Sequence, residues 1–322
     1  MRKPLVVDIT AAFQELNNSV VDGVPGVWVV HSKQPGPVVG ITMLTHGNEP
    51  SGLATYHYFR HLYQLEHRLK RGSVYFVLNN PEAAKRYFTA VAIADENAKR
   101  RARFVDVNMN RLPDDPFSGD NDQRYEVKRA RVLRGIWARF QYALDIHSTI
   151  QTTRPMIIKL ARSDMKMISR FPISTVISNI DAVQSGKPAC YFYGGQRSQV
   201  YGIETGGHEV KRSLQRAVMC TRTFLALLNL IPVNRLPGLK DQVEYRVFDS
   251  IWFPDASYEL TRALKDFGVI HKGQLLARGD GQSLTAGTDC CALMVPRRKK
   301  ATNIDEEVFF LTRMPRHLKR KK

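Results

Sequence analysis

The run Val38-Val39-Gly40-Ile41-Thr42-Met43-Leu44 constrains the fold of this chain more than any other stretch. One hydroxyl among apolar residues gives a strand no wet face, so the run reads as a strand buried on both sides. Gly47, Asn48 and Pro50 mark where the chain turns out of it. Short apolar runs and amphipathic stretches then alternate as far as residue 230. Further strands are expected near Val6 and at 27–30, 73–78, 143–146, 156–160, 174–178 and 200–204. Helices are expected at 51–69, 82–87, 125–142 and 210–230, the third with Val127, Ala130, Leu133, Ile136, Trp137 and Phe140 near helical spacing. Strands alternating with helices predict an α/β fold with a mostly parallel sheet covered on both faces.

Beyond Pro232 and Pro237-Gly238 the text changes to short runs separated by Gly, Pro and Asp. Residues 243–248 alternate like a half-buried strand, and similar stretches surround Ile251, Leu275 and Leu293. The expectation is a large α/β domain over 1–235 and a small β-rich appendage over 236–322. The formal net charge of +18 is partly concentrated at the end, where 297–322 carries ten Lys or Arg against Asp305, Glu306 and Glu307. Such an end reads as a solvated tail; without interleaved aromatics it lacks a nucleic-acid recognition motif. No stretch approaches the roughly 18 uncharged apolar residues of a membrane span. Asp8 breaks the first apolar run, so the start does not read as a secretory signal. The four cysteines show no Cys-x-x-Cys spacing, which fits a reducing, cytoplasmic setting.

The chemistry begins right after the first buried run. His46 and Glu49 stand three residues apart on the turn that leaves it, where a divalent metal could sit. A catalytic zinc usually takes three protein ligands and keeps a position for water, and the best third donor is His147, which follows the apolar run 143–146. Two imidazoles and one carboxylate suit zinc. Glu204 ends another run, and in such sheets the ligand crevice lies beyond the carboxyl ends of the strands. Residues 94–123 are too polar and long for an ordinary connection and read as an active-site loop. Within it, Arg103 and Arg111 are either surface charges or, for Arg111 together with Asn110, a carboxylate clamp. Asp145 either orients His147 or serves a structural bond. Tyr191 and Tyr193 read as core packing before pocket aromatics, and His208 as a surface residue.

Together these pieces resemble the succinylglutamate desuccinylase/aspartoacylase family, relatives of the zinc carboxypeptidases. The resemblance rests on His46-Gly47-Asn48-Glu49-Pro50-Ser51-Gly52, on Arg103 with Asn110-Arg111, on Asp145-Ile146-His147-Ser148 and on Gly202-Ile203-Glu204-Thr205-Gly206. It covers roughly residues 38–230. It implies a carboxypeptidase-like mixed sheet flanked by helices, with one zinc on His46, Glu49 and His147. Arg103 would polarise the scissile carbonyl, Asn110 and Arg111 would hold a substrate carboxylate, and Glu204 would be the general base. Arg197, on a Gly-rich loop ahead of Glu204, falls where the family often places substrate contacts. The implied function is zinc-dependent hydrolysis of the amide bond of an N-acyl amino acid or a related small carboxylate-bearing molecule. The alternatives are a carboxypeptidase-like metallopeptidase and a non-catalytic protein that binds nucleic acid through its basic tail. A homo-oligomer is compatible with all three.

Overall fold

The computed structural model describes residues 7–119, 121–149, 154–195, 197–208, 210–232, 241–296, 300 and 306–315. Val6, near which a strand is expected, lies outside the described residues, as does most of the basic end. The chain divides into two compact units: Met1–Ile157, Arg162–Ser174 and Gly186–Asp241 form the first, and Ile158–Ala161, Thr175–Ser185 and Gln242–Lys322 the second.

The first unit is built on five strands, β1 (Val27–His31), β2 (Val38–Met43), β3 (Ser73–Leu78), β4 (Tyr142–Thr149) and β5 (Gln199–Gly207). In space they run β5-β4-β2-β3-β1. The β2–β3, β2–β4 and β4–β5 ladders are parallel, and β1 is antiparallel to β3 at the edge. The buried run is thus a central strand with a neighbour on each side, and Val39, Ile41, Met43 and Leu44 are all fully buried.

Helices α1 (Ile9–Asn17), α2 (Ser51–His57), α3 (Pro81–Ala92), α4 (Tyr125–Trp137) and α5 (Lys211–Leu227) cover this sheet. Asp8 caps α1 by accepting from the Ala11 amide at 2.9 Å, and Asn80 caps α3, whose first residue is Pro81. α2 and α5 pack on one another against β2, β4 and β5. On the Gly40 side of β2 lies Phe140, whose ring occupies the space a side chain at residue 40 would need. Trp137 and Phe140 meet the ring of Tyr193 at 5.2 and 5.9 Å. All three are buried, each stabilising the unit by about 1.5–3 kcal/mol through the area it removes from water.

The helices differ from the expected spans: that expected at 82–87 runs over Pro81–Ala92, and that expected at 125–142 ends at Trp137, with Tyr142 already in β4. The stretch 51–69 is one α-helix only to His57. It then widens into a π-turn at Tyr58–Leu62 and breaks at Gln64, whose φ is +54°. The long polar loop contains a short helix, Glu96–Arg101, and a 3₁₀ turn, Met109–Arg111.

In the second unit the strand Val243–Ile251 runs parallel to Thr175–Ser178 and antiparallel to Phe309–Thr312. That pairing draws a segment from the middle of the sequence into the unit of the C-terminal residues. Cys290–Leu293 and Val269–Ile270 extend the sheet, and a separate three-stranded antiparallel sheet holds Glu259–Leu260, Leu275–Gly279 and Gln282–Thr285. Tyr245 and Val247 point inward while Glu244 and Arg246 are exposed. The unit has its own core, including Phe253, Tyr258, Leu276, Ala292 and Phe309. All four cysteines are buried free thiols. No helix among the described residues is long and apolar enough to cross a membrane.

Candidate functional site

The turn after β2 is shaped by two constraints. Leu44 leaves the strand with φ +52°, a left-handed conformation unusual for a branched apolar residue. At Gly47 a Cβ would overlap the backbone of Ala83 and the carbonyl oxygen of Ala102. The Gly47 amide donates to the Arg103 carbonyl at 2.9 Å, so the turn of His46 and Glu49 and the loop of Arg103 touch through bare backbone.

His147 lies within β4 near its carboxyl end, directly opposite Glu204 in the β4–β5 ladder. Neighbours in register on parallel strands point to the same face, about 4.8 Å apart. Thr205 fastens this corner: its hydroxyl bonds to the His147 carbonyl at 2.9 Å and lies 3.0 Å from the Ser51 hydroxyl at the start of α2.

His46, Glu49 and His147 are buried, and one potential ligand atom from each lies within 4.8 Å of the others. Nδ1 of His46 is 2.7 Å from Glu49 Oε1, and Nδ1 of His147 is 2.9 Å from Glu49 Oε2. The far nitrogens are already committed. Nε2 of His147 donates to Asp145 Oδ2 at 3.0 Å, and Nε2 of His46 donates to Asn108 Oδ1 at 2.9 Å. The Asn110 amide also donates to Asn108 Oδ1, at 2.9 Å, which identifies that atom as the oxygen. A neutral imidazole donating from Nε2 has only a lone pair at Nδ1. With both rings neutral, as metal ligation requires, two such lone pairs and a carboxylate converge, a donor set that a divalent cation satisfies and that suits zinc.

The charges follow. Burial, helped by the Arg103 charge, lowers the pKa of His46. Burial opposes charge on His147 too, but Asp145 and Glu49 outweigh it and raise its pKa well above the ordinary value. Against the effect of burial, the two imidazoles hold Glu49 well below the usual carboxylate range. Glu204 is pushed up to about 8, first by burial and then by the charge of Glu49. Its Oε2 is enclosed and has no hydrogen-bond partner among the described residues. A carboxylate poised to change protonation therefore stands beside the donor trio.

The long loop brings further groups in. Arg103 Nη1 lies 3.2 Å from Glu49 Oε1, with about a third of its side chain exposed. Asn110 and Arg111 follow Asn108 in the 3₁₀ turn, and the Leu112 amide bonds to the Lys187 carbonyl at 2.9 Å. Arg197 is exposed and makes no side-chain hydrogen bond or ion pair with the described residues. The loop around it is organised by Arg162, which donates to the carbonyls of Cys190, Tyr191, Tyr193 and Gly195 and to the Ser198 hydroxyl. Tyr193 is core and Tyr191 is half exposed, while His208 pairs with the Ser148 hydroxyl at 2.8 Å.

Sequence reasoning missed two residues, Asn108 and Glu126. Asn108 carried no signal beyond lying beside Asn110-Arg111. Glu126 carried one: it falls on the inward stripe of α4 with Ala130, Leu133 and Trp137, all buried, a place where an acid needs partners.

A family model described as the succinylglutamate desuccinylase/aspartoacylase catalytic domain matches residues 35–190. No curated protein sequence matches the chain. Among solved structures, the chain is similar to succinylglutamate desuccinylase from Vibrio cholerae, with 16% identity, 96% of each chain covered and a TM-score of 0.66. The product-bound ectoine utilization protein EutE from Ruegeria pomeroyi matches with 17% identity, 89% of this chain and 88% of that one, and a TM-score of 0.64. Murine aminoacylase 3 matches with 19% identity, 88% and 96% coverage and a TM-score of 0.58. At such identities the likeness is one of fold.

Proposed function

The chain belongs to the succinylglutamate desuccinylase/aspartoacylase family, and from that premise we propose that it is a zinc-dependent deacylase that hydrolyses the amide bond of an N-acyl amino acid or related small carboxylate. The observation that carries this reading is the trio His46, Glu49 and His147 with Glu204 in register beside it.

His46, Glu49 and His147 would hold the metal. When bound, it supplies Lewis acidity toward the scissile carbonyl and makes a water more acidic. Glu204 takes a proton from the attacking water and returns it to the leaving amine as the carbon–nitrogen bond breaks. Its raised pKa suits both halves of that exchange. Arg103 places a guanidinium where negative charge develops on the carbonyl oxygen. Asn110 and Arg111 bind the substrate's carboxylate through parallel hydrogen bonds, and Arg197 is an outer contact for a charged substituent. The products are a carboxylic acid and a free amine.

The first test is release of free amine from a panel of N-acetyl, N-succinyl and other N-acyl amino acids. Zinc-loaded protein is expected to turn over part of the panel. Chelation should abolish turnover, and Glu204→Gln should lower kcat by about 10²- to 10⁴-fold. No turnover by the loaded protein, with zinc bound stoichiometrically, would sink the deacylase reading. Cleavage of peptides from their carboxyl end would then favour a metallopeptidase, in which Asn110 and Arg111 hold a terminal carboxylate.

A further inference from the structure

Glu126 sits in the first turn of α4, fully buried. Its Oε1 accepts from the Val105 amide at 2.6 Å and from Asn80 Nδ2 at 2.9 Å. Its Oε2 accepts from the amides of Asp106 and Val107, each at 3.0 Å. Three successive backbone N–H groups thus converge on one carboxylate, an arrangement that elsewhere binds free anions. Here the chain supplies the anion itself. A reciprocal bond closes the clasp, as Asp106 Oδ2 accepts from the Tyr125 amide at 2.6 Å.

The clasped segment lies between functional groups on both sides. Arg103, whose guanidinium meets Glu49, is two residues before it. Asn108, whose oxygen holds both His46 Nε2 and the Asn110 amide, is the residue after it. Asn80, the fourth donor to Glu126, also caps α3 through the Ala83 amide at 3.2 Å. We propose that Glu126 is a positioning residue: it fixes the loop so that Asn108 orients the metal ligand His46 while Asn110 and Arg111 face the substrate. It does so without touching metal or substrate. The metal half of this inference rests on the donor trio alone, and the substrate half rests on the deacylase reading above.

Arg129 supplies the control, because it lies on the same helix, is also buried, and holds only backbone carbonyls of Pro25, Leu78 and Asn79. Glu126→Gln keeps the size but places a donor amide against donor N–H groups. The variants to compare with the unaltered protein are Glu126→Gln and Arg129→Lys. The readouts are zinc affinity by chelator competition, amide exchange at residues 105–107, Tm, and kcat with KM on whichever acyl amino acid is turned over.

In Glu126→Gln the zinc Kd should rise about tenfold, the low end for loss of a partner that orients a ligand. kcat/KM should fall about 10- to 100-fold, shared between KM and kcat. The three amides should exchange faster. Arg129→Lys should lower Tm without moving the zinc Kd. If Glu126→Gln does not fold, Glu126→Asp, with the same charge on a shorter arm, is read the same way. A zinc Kd unchanged in a Glu126 variant whose 105–107 amides exchange faster would overturn the proposal, since the loop would then be loosened without consequence. If no substrate turns over, the deacylase reading fails while the zinc and exchange measurements still decide the role of Glu126.

Discussion

The groups around the donor trio are held in two different ways. His147 and Glu204 stand on adjacent parallel strands, and their directions follow from a register that runs unbroken from Tyr142 and Gln199 up to that pair and shifts just beyond it. Arg103, Asn108, Asn110 and Arg111 stand on a loop with no ladder behind them. Their places follow from a handful of polar bonds, chiefly those of Glu126 and the contact between Gly47 and Arg103. A sheet-borne group is hard to displace because the whole hydrophobic pattern fixes it. A loop-borne group can be moved by losing one partner.

The largest effect that would sharpen this contrast comes from the loop side. Arg103→Ala should lower kcat by about 10²- to 10³-fold, the usual cost of losing a group that stabilises developing negative charge. It should not weaken zinc binding, since the charge removed lies beside Glu49 and repels a cation. Parallel loss of zinc in that variant would mean that Arg103 supports the ligands and not the reaction.

Asp145→Asn tests the sheet side. It replaces the carboxylate that accepts from His147 Nε2, and zinc affinity measured by competition should fall about 10- to 100-fold. Since the strand keeps its register, the circular dichroism spectrum should not change. An unaltered zinc affinity would break the comparison, because the ring would then be aimed by the strand alone.

The smallest effect belongs to Thr42→Val. The Thr42 hydroxyl donates to Asp145 Oδ1 at 2.7 Å inside the sheet, and Thr45 approaches the same oxygen at 3.3 Å. Denaturant unfolding should show a loss of about 1 kcal/mol with zinc affinity within about twofold. A much larger loss of zinc would extend the positioning network one residue deeper than the carboxylate.

The same division decides what could be read from the sequence. The strands of the first unit were legible because an apolar run bounded by turn residues has few other uses, and His46 with Glu49 was legible because both sit on one short turn after such a run. That the third donor lies inside β4 and not past its end was less visible, since periodicity marks a strand's apolar part and not its last polar residues. Asn108 and Glu126 were not legible. Their partners lie far off in sequence, His46 and the 105–107 amides, and only the folded path of the loop joins them. The break at Gln64 was hidden for a related reason: the amphipathic pattern of 51–69 continues through an exposed residue whose left-handed backbone, φ +54°, leaves no mark on the side-chain periodicity. The pairing of Thr175–Ser178 with Val243–Arg246 likewise depends on partners that no local pattern names.

The bare backbone approach at Gly47 bears on how this chain can diverge. Atoms of Ala83 and Ala102 that a side chain at position 47 would strike belong to the main chain, so no rotamer change in a neighbour can make room. On the proposed reading, in which the exposed Arg197 is an outer substrate contact, exchanging it would retune the substrate one codon at a time, while position 47 admits no intermediate step. Substrate preference would then be free to drift while the turn of His46 and Glu49 is inherited whole.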